Sequence, residues 1–134
     1  MTQLDAFVDS FELLGDWDQR YQYITELGDQ LDIMPEALKT EDNRVKGCMS
    51  QVWVSARLDD QGLVGFDADC DTATIKGVLA LLVDLMSNKS ASDVLATDLD
   101  EIFDRLSLDE HLSPNRHFGI YAIVELMKKQ VTQL

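Results

Sequence analysis

Between Gln51 and Cys70 the side chains alternate in a way that admits few alternatives. Val52, Val54, Ala56 and Leu58 share one parity, and Gln51, Trp53, Ser55 and Arg57 the other, which is the period of a strand with one buried face. Asp60-Gln61-Gly62 then reads as a three-residue hairpin loop with Gly62 in the left-handed conformation. This loop sets Leu58 opposite Val64, Ala56 opposite Phe66, Val54 opposite Ala68 and Val52 opposite Cys70. The apolar faces then coincide. A two-residue loop would slip one strand by a residue and set apolar side chains against polar ones.

A two-stranded hairpin needs a cover for its apolar face, and helical patterns flank it on both sides. Leu4, Phe7, Val8, Phe11 and Leu14 predict a first helix, broken at Gly15-Asp16. A second starts near Asp16, carries Trp17, Tyr21, Ile24, Leu27 and Leu31 inward, and ends before Pro35. Asp32 to Arg44 reads as a polar connection with a helical turn around Glu36 to Lys39. After the hairpin, N-cap candidates from Asp69 to Thr72 open a third helix. Its Ile75, Val78, Leu79, Leu82, Val83 and Met86 form the stripe expected to cover the sheet. Two short helices around Ser92–Thr97 and Leu99–Leu106 follow, and Ser113-Pro114 starts a last one with Ile120, Ile123, Val124, Met127 and Val131 inward. Residues 1–134 are therefore expected to form a single α+β domain, a small antiparallel sheet packed against helices.

The net charge of −14 disfavours nucleic acid and anionic membrane surfaces as partners. No run is apolar enough to cross a bilayer and the N-terminus lacks a signal-peptide pattern, so a cytoplasmic location is expected. Cys48 and Cys70 are the only cysteines, too few for a disulfide framework. With no close Cys or His pair, a metal site is not expected.

Cys48 stands out. From Asn43 to Leu58 there is no acidic residue, whereas Arg44, Lys46 and Arg57 are cationic, and nearby cations favour the thiolate that performs sulfur chemistry. Gly47 permits backbone angles that lift a thiol on a short loop. Extending the hairpin register past Gln51 and Asp71 brings Cys48 near the N-terminal turn of the third helix, where backbone N–H groups favour an anion. These features suit a reactive thiol, but a buried small hydrophobe is the other common fate of a free Cys, and composition leaves both open. Cys70 falls on the core face, where an inert thiol is the natural reading and a resolving thiol for Cys48 the sharper one. His111 and His117 read as surface polar residues rather than a base for Cys48, because nothing singles out an orienting group or an oxyanion site.

The stretch Gly47-Cys48-x-Ser50-Gln51-Val52-Trp53 resembles the Gly-Cys-x-Ser-x-Val-Trp box of the SufE family of sulfur acceptors. Three further segments are similar to that family: Trp17, Tyr21, Ile24, Leu27, Gly28 and Leu31 at their spacing, Asp69-x-Asp71 followed by Ile75-Lys76-Gly77, and His111-Leu112-Ser113-Pro114-x-Arg116-x-x-Gly119. Cys70 stands where the family often has Ser, and His117-Phe118 replaces a small polar pair. The resemblance implies a sandwich fold shared with SufE and IscU-like proteins and no resident cofactor. It also implies a sulfur relay rather than an enzyme in its own right. Cys48 would take persulfide sulfur from a pyridoxal-phosphate cysteine desulfurase, stimulate it, and pass sulfur to an iron–sulfur scaffold. Arg44, Gly47, Ser50, Gln51, Asp71 and Arg116 are expected in helping roles, with Arg44 and Arg116 as anion stabilisers or partner contacts and Asp71 holding the loop. Monomer and homodimer are both compatible. The alternative is a scaffold binding an iron–sulfur cluster or metal directly, for which two cysteines fall short of the usual three or four ligands. A thiol peroxidase or cysteine hydrolase is a third possibility.

Overall fold

A computed structural model of the chain describes residues 2–134, with Asn115 described by its backbone alone. Helix α1 spans Gln3–Leu14 and opens on a reciprocal cap in which the Thr2 hydroxyl accepts from the Asp5 N–H while Asp5 accepts from the Thr2 N–H. Gly15, at φ +76°, turns the chain into α2, Trp17–Asp29, capped by Asp16. A single 3-10 turn follows at Glu36–Leu38. Strands β1, Val52–Leu58, and β2, Val64–Cys70, pair antiparallel with Val52 opposite Cys70 and Leu58 opposite Val64. The register expected from the alternation is the one formed, and Gly62 at φ +77° closes the loop. Helix α3 covers Ala73–Met86, and the short α4 and α5 cover Ala91–Leu95 and Leu99–Leu106. Ser107 then adopts a left-handed conformation and restarts the chain as an additional helix, α6, Leu108–His111, before α7, Pro114–Thr132.

The domain is α+β, with α3 at its centre. The expected stripe on α3 is an underestimate: Leu81 and Leu85 are buried along with Val78, Leu79, Leu82 and Met86. The reason is that α3 packs against α2 and α1 as well as β2, so almost every side faces protein. The α2–α3 approach is close enough to exclude side chains. A Cβ on Gly28 would lie 2.9 Å from the Gly77 nitrogen, and one on Gly77 would overlap the Ile24 carbonyl oxygen.

The outer edge of β1 is covered. Residues 43–45, of which Asn43 and Arg44 were expected to end a polar connection, instead pair with β1: the Val45 N–H donates to the Val52 carbonyl at 2.8 Å and the Val54 N–H to the Asn43 carbonyl at 2.9 Å. Further along the same edge the Gln130 side-chain amide of α7 stands in for a strand. Its Oε1 accepts from the Ala56 N–H at 3.0 Å and its Nε2 donates to the Val54 carbonyl at 2.8 Å. Such cover prevents edge-to-edge pairing with other chains. Gln130→Ala should lower stability by about 1–3 kcal/mol, the usual effect of leaving part-buried backbone groups unpaired, and raise the tendency to aggregate. An unchanged urea midpoint would show that water replaces the amide without loss.

Candidate functional site

The edge pairing of residues 43–45 changes how Cys48 is presented. Because Val45 is bonded to Val52, residues 46–51 form a closed loop rather than a free approach to the strand. The far end of that loop is tied to β2: the Asp71 N–H donates to the Gln51 carbonyl at 3.1 Å, and the Gln51 N–H donates to Asp71 Oδ1 at 3.0 Å. The Ser50 hydroxyl bonds the Thr72 hydroxyl at 2.6 Å, which in turn meets Asp71 Oδ1 at 3.2 Å. Gly47 sits at φ +88°, a conformation an L-residue adopts only with strain. Cys48 is thus held at the tip of a loop with fixed ends and one glycine hinge.

Helix α7 runs beneath this loop in the opposite direction. Its Gln130 bonds the Asn43 side chain, Ala122 lies under Gly47, and Gly119 lies under Cys48. Spacings of eight and three residues place these positions on one helix face. At Gly119 the sulfur is so near that an added Cβ would lie 2.9 Å from it. One turn earlier, Arg116 lines a cleft of about 320 Å³ together with Cys48, Met49, Ser50, Thr72, Ile75 and Ser113. The first turn of α3 is at this cleft, and no side chain caps it. Arg116 Nη1 is buried and has no hydrogen-bond partner among the described residues. An unpaired guanidinium N–H is costly at rest and gains most from an incoming anion. Met49, on the cleft, is 89% exposed, and Phe118, next to Gly119 in α7, is 70% exposed, so both leave apolar surface open.

Arg44 is not part of this cleft. Its guanidinium pairs with Glu41 at 3.0 and 3.1 Å, and Lys46 bonds the same carboxylate. Together they hold the Glu41 carboxyl down at about 2. Arg57 is likewise paired, with Asp67 at 2.9 Å. The acid-free stretch of sequence is therefore not a cationic patch in space, because Glu41 just before it and Asp67 across the hairpin pair with its cations.

Residues 5–131 match the SufE family, described as an Fe-S metabolism associated domain. The chain belongs to the SufE family. Among SufE relatives, an uncharacterized SufE-like protein of Rhizobium meliloti (strain 1021) is 35% identical over 133 residues, 97% of this chain and 95% of that protein. A second uncharacterized SufE-like protein, from Rhizobium etli, is also 35% identical, over 97% of this chain and 90% of its own length. The solution structure of a hypothetical protein from Thermus thermophilus superposes with a TM-score of 0.81 over 99% of this chain and 97% of that one, at 23% identity, and so shares the fold. SufE membership connects the chain with iron–sulfur metabolism.

Within this SufE domain the predicted helpers separate by position. Ser50 and Arg116 line the cleft, Gln51 and Asp71 tie down its loop, Gly47 supplies the hinge and Arg44 lies away. Sequence reasoning assigned no site role to Met49, Thr72, Ile75, Ser113 or Gly119. The spacing Ser113-x-x-Arg116-x-x-Gly119, one helix face led by an N-cap, was the available signal. The histidines are not the surface residues expected. His111 stacks on Trp17 with ring centroids 3.7 Å apart, and His117 packs by Phe103 with its Nε2 buried. Neither lines the Cys48 cleft. Among the described residues no group of three or more His, Cys, Asp or Glu side chains is placed to hold a metal ion, and no helix is long and apolar enough to cross a membrane.

Proposed function

We propose that Cys48 accepts sulfur from a pyridoxal-phosphate cysteine desulfurase and delivers it for iron–sulfur cluster assembly. The Cys48 thiolate attacks the outer sulfur of the desulfurase's persulfide. A bond forms between Cys48 Sγ and that sulfur, the sulfur–sulfur bond of the donor breaks, and the donor leaves as its own thiolate. Cys48 then carries a persulfide, with no net oxidation or reduction. The desulfurase is stimulated because its active-site thiol is cleared for the next turnover.

The observation that carries this reading is the cleft beside Cys48 with the unpaired, buried Arg116 Nη1. A persulfide extends past Sγ by one sulfur and is more acidic than a thiol, so it needs room and a donor. The cleft offers room, and Arg116 stands on its wall with Ser50, Thr72 and Ser113. Arg44, paired with Glu41 on the outer side, fits a partner contact better than an anion stabiliser. The exposed Met49 and Phe118 suit docking of another protein beside the thiol.

Incubation with a cysteine desulfurase and L-cysteine, followed by intact-mass measurement, should add about 32 Da per sulfur to this chain. Absence of the adduct while desulfurase activity is also unaffected would overturn the assignment. Arg116→Met should slow sulfur acceptance on the order of ten-fold or more, since a hydrogen bond to a charged group contributes about 1.5–3 kcal/mol. Arg116→Lys should recover part of the rate by keeping the charge while losing the planar fork. Single-turnover transfer kinetics distinguish the two variants.

A further inference from the structure

The place where the Cys48 sulfur rests is a notch in α7, made by the missing side chain of Gly119. A Cβ at this position would lie 2.9 Å from Sγ but 3.6 Å from the cysteine Cβ and 3.8 Å from its Cα. Only the sulfur is in the way. Gly119 itself is buried in the body of α7 and has no left-handed backbone angle to account for it. Glycine inside a helix is ordinarily unfavourable relative to alanine, so the local propensity here is overridden by the contact above it.

We propose that Gly119 is a positioning residue that sets the resting exposure of Cys48. It lets the thiol tuck against α7, and occupation of its Cβ position shifts the loop to a swung-out state. The loop ends cannot move to relieve the clash, because Val45–Val52 and Gln51–Asp71 are hydrogen-bonded on either side. The movement falls to the Gly47 hinge and the cysteine side chain. With α7 closing the inner side, both carry the sulfur into the solvent-facing cleft. This positioning acts on the free thiol, and holds whether or not a second sulfur is ever loaded onto it.

Two measurements on the full chain test it. The first is the alkylation rate of Cys48 by iodoacetamide at neutral pH, with peptide mapping to separate it from Cys70. Gly119→Ala should raise the Cys48 rate on the order of ten-fold, the population shift that one overpacked methyl group can drive, and leave Cys70 unchanged. The second is the thermal midpoint in two backgrounds. Gly119→Ala should raise the midpoint in a Cys48→Ala chain, where the notch is free and only the helix preference remains, and raise it less or not at all when Cys48 is present, because the sulfur must swing aside. An unchanged Cys48 alkylation rate overturns the proposal, as does the same midpoint shift in both backgrounds. Should the Gly119→Ala single variant fail to fold, the double variant must fold, and its failure also overturns the proposal. None of these readouts involves a desulfurase, so they are independent of the sulfur-transfer reading.

Discussion

Gly77→Ala should strongly destabilise the fold. Helices α2 and α3 meet backbone to backbone at Gly28 and Gly77. A methyl group at Gly77 would overlap the Ile24 carbonyl oxygen and approach Ile24 Cγ2 to 2.6 Å and its carbonyl carbon to 2.7 Å. Flexible side chains can yield to such intrusion, whereas a helix backbone can yield only by moving the whole helix. The expected loss is about 3 kcal/mol or more, at the upper end of overpacking effects. Against a typical stability of about 5–15 kcal/mol this is a large fraction. Gly28→Ala should cost less, because its nearest contact, the Gly77 nitrogen at 2.9 Å, is the only one under 3 Å. Urea denaturation followed by circular dichroism measures both, and a Gly77→Ala midpoint equal to wild type would rule out so close a crossing. An ordinary helical Gly→Ala change, by contrast, stabilises.

The second large effect separates the two cysteines. Cys48→Ser should abolish the sulfur adduct and the stimulation of a desulfurase, because an alcohol forms no persulfide and is un-ionised at neutral pH. Cys70→Ala should retain both. Cys70 is buried in the core opposite Val52, and burial pushes its thiol up to about 11, offset in part by the Thr72 N–H donating to its sulfur at 3.4 Å. It is therefore un-ionised near neutral pH, and a resolving role is disfavoured. The pH dependence follows with a definite sign. The folded chain keeps this proton to higher pH than the unfolded chain does, so the stability Cys70 contributes is full below the ordinary thiol range. That stability is lost as pH rises through about 11. Alkylation of native Cys70 should accordingly stay negligible until that pH is approached. An adduct that survives Cys48→Ser but disappears in Cys70→Ala would reverse the assignment.

The hairpin was legible in the sequence because a period of two, matched on both strands, leaves one register with apolar faces together. Helix starts at Asp16 and Ser113 were legible for a similarly local reason, since a side-chain oxygen caps an N–H three residues on. The cysteine box was legible as a resemblance, and Gly47 as a hinge. The added strand at residues 43–45 was not, because three residues are too few to show alternation and their partner β1 becomes known only after folding. The extra helix α6 was hidden in the same way, being four residues long and dependent on a left-handed Ser107.

What the amino-acid sequence by itself determined is thus what depends on neighbours along the chain: the longer helices, the hairpin with its register, and the glycine that turns the loop just before the Cys48 thiol. What only the tertiary structure decided is which distant groups surround that thiol. Arg44 and Lys46 flank Cys48 in the chain yet are taken up by Glu41, whereas Arg116, far away in sequence, reaches its cleft. The physical reason is that electrostatics and packing act through space. Those distances are set by the loop lying along α7 with Gly119 beneath the sulfur, an arrangement that no sequence window contains.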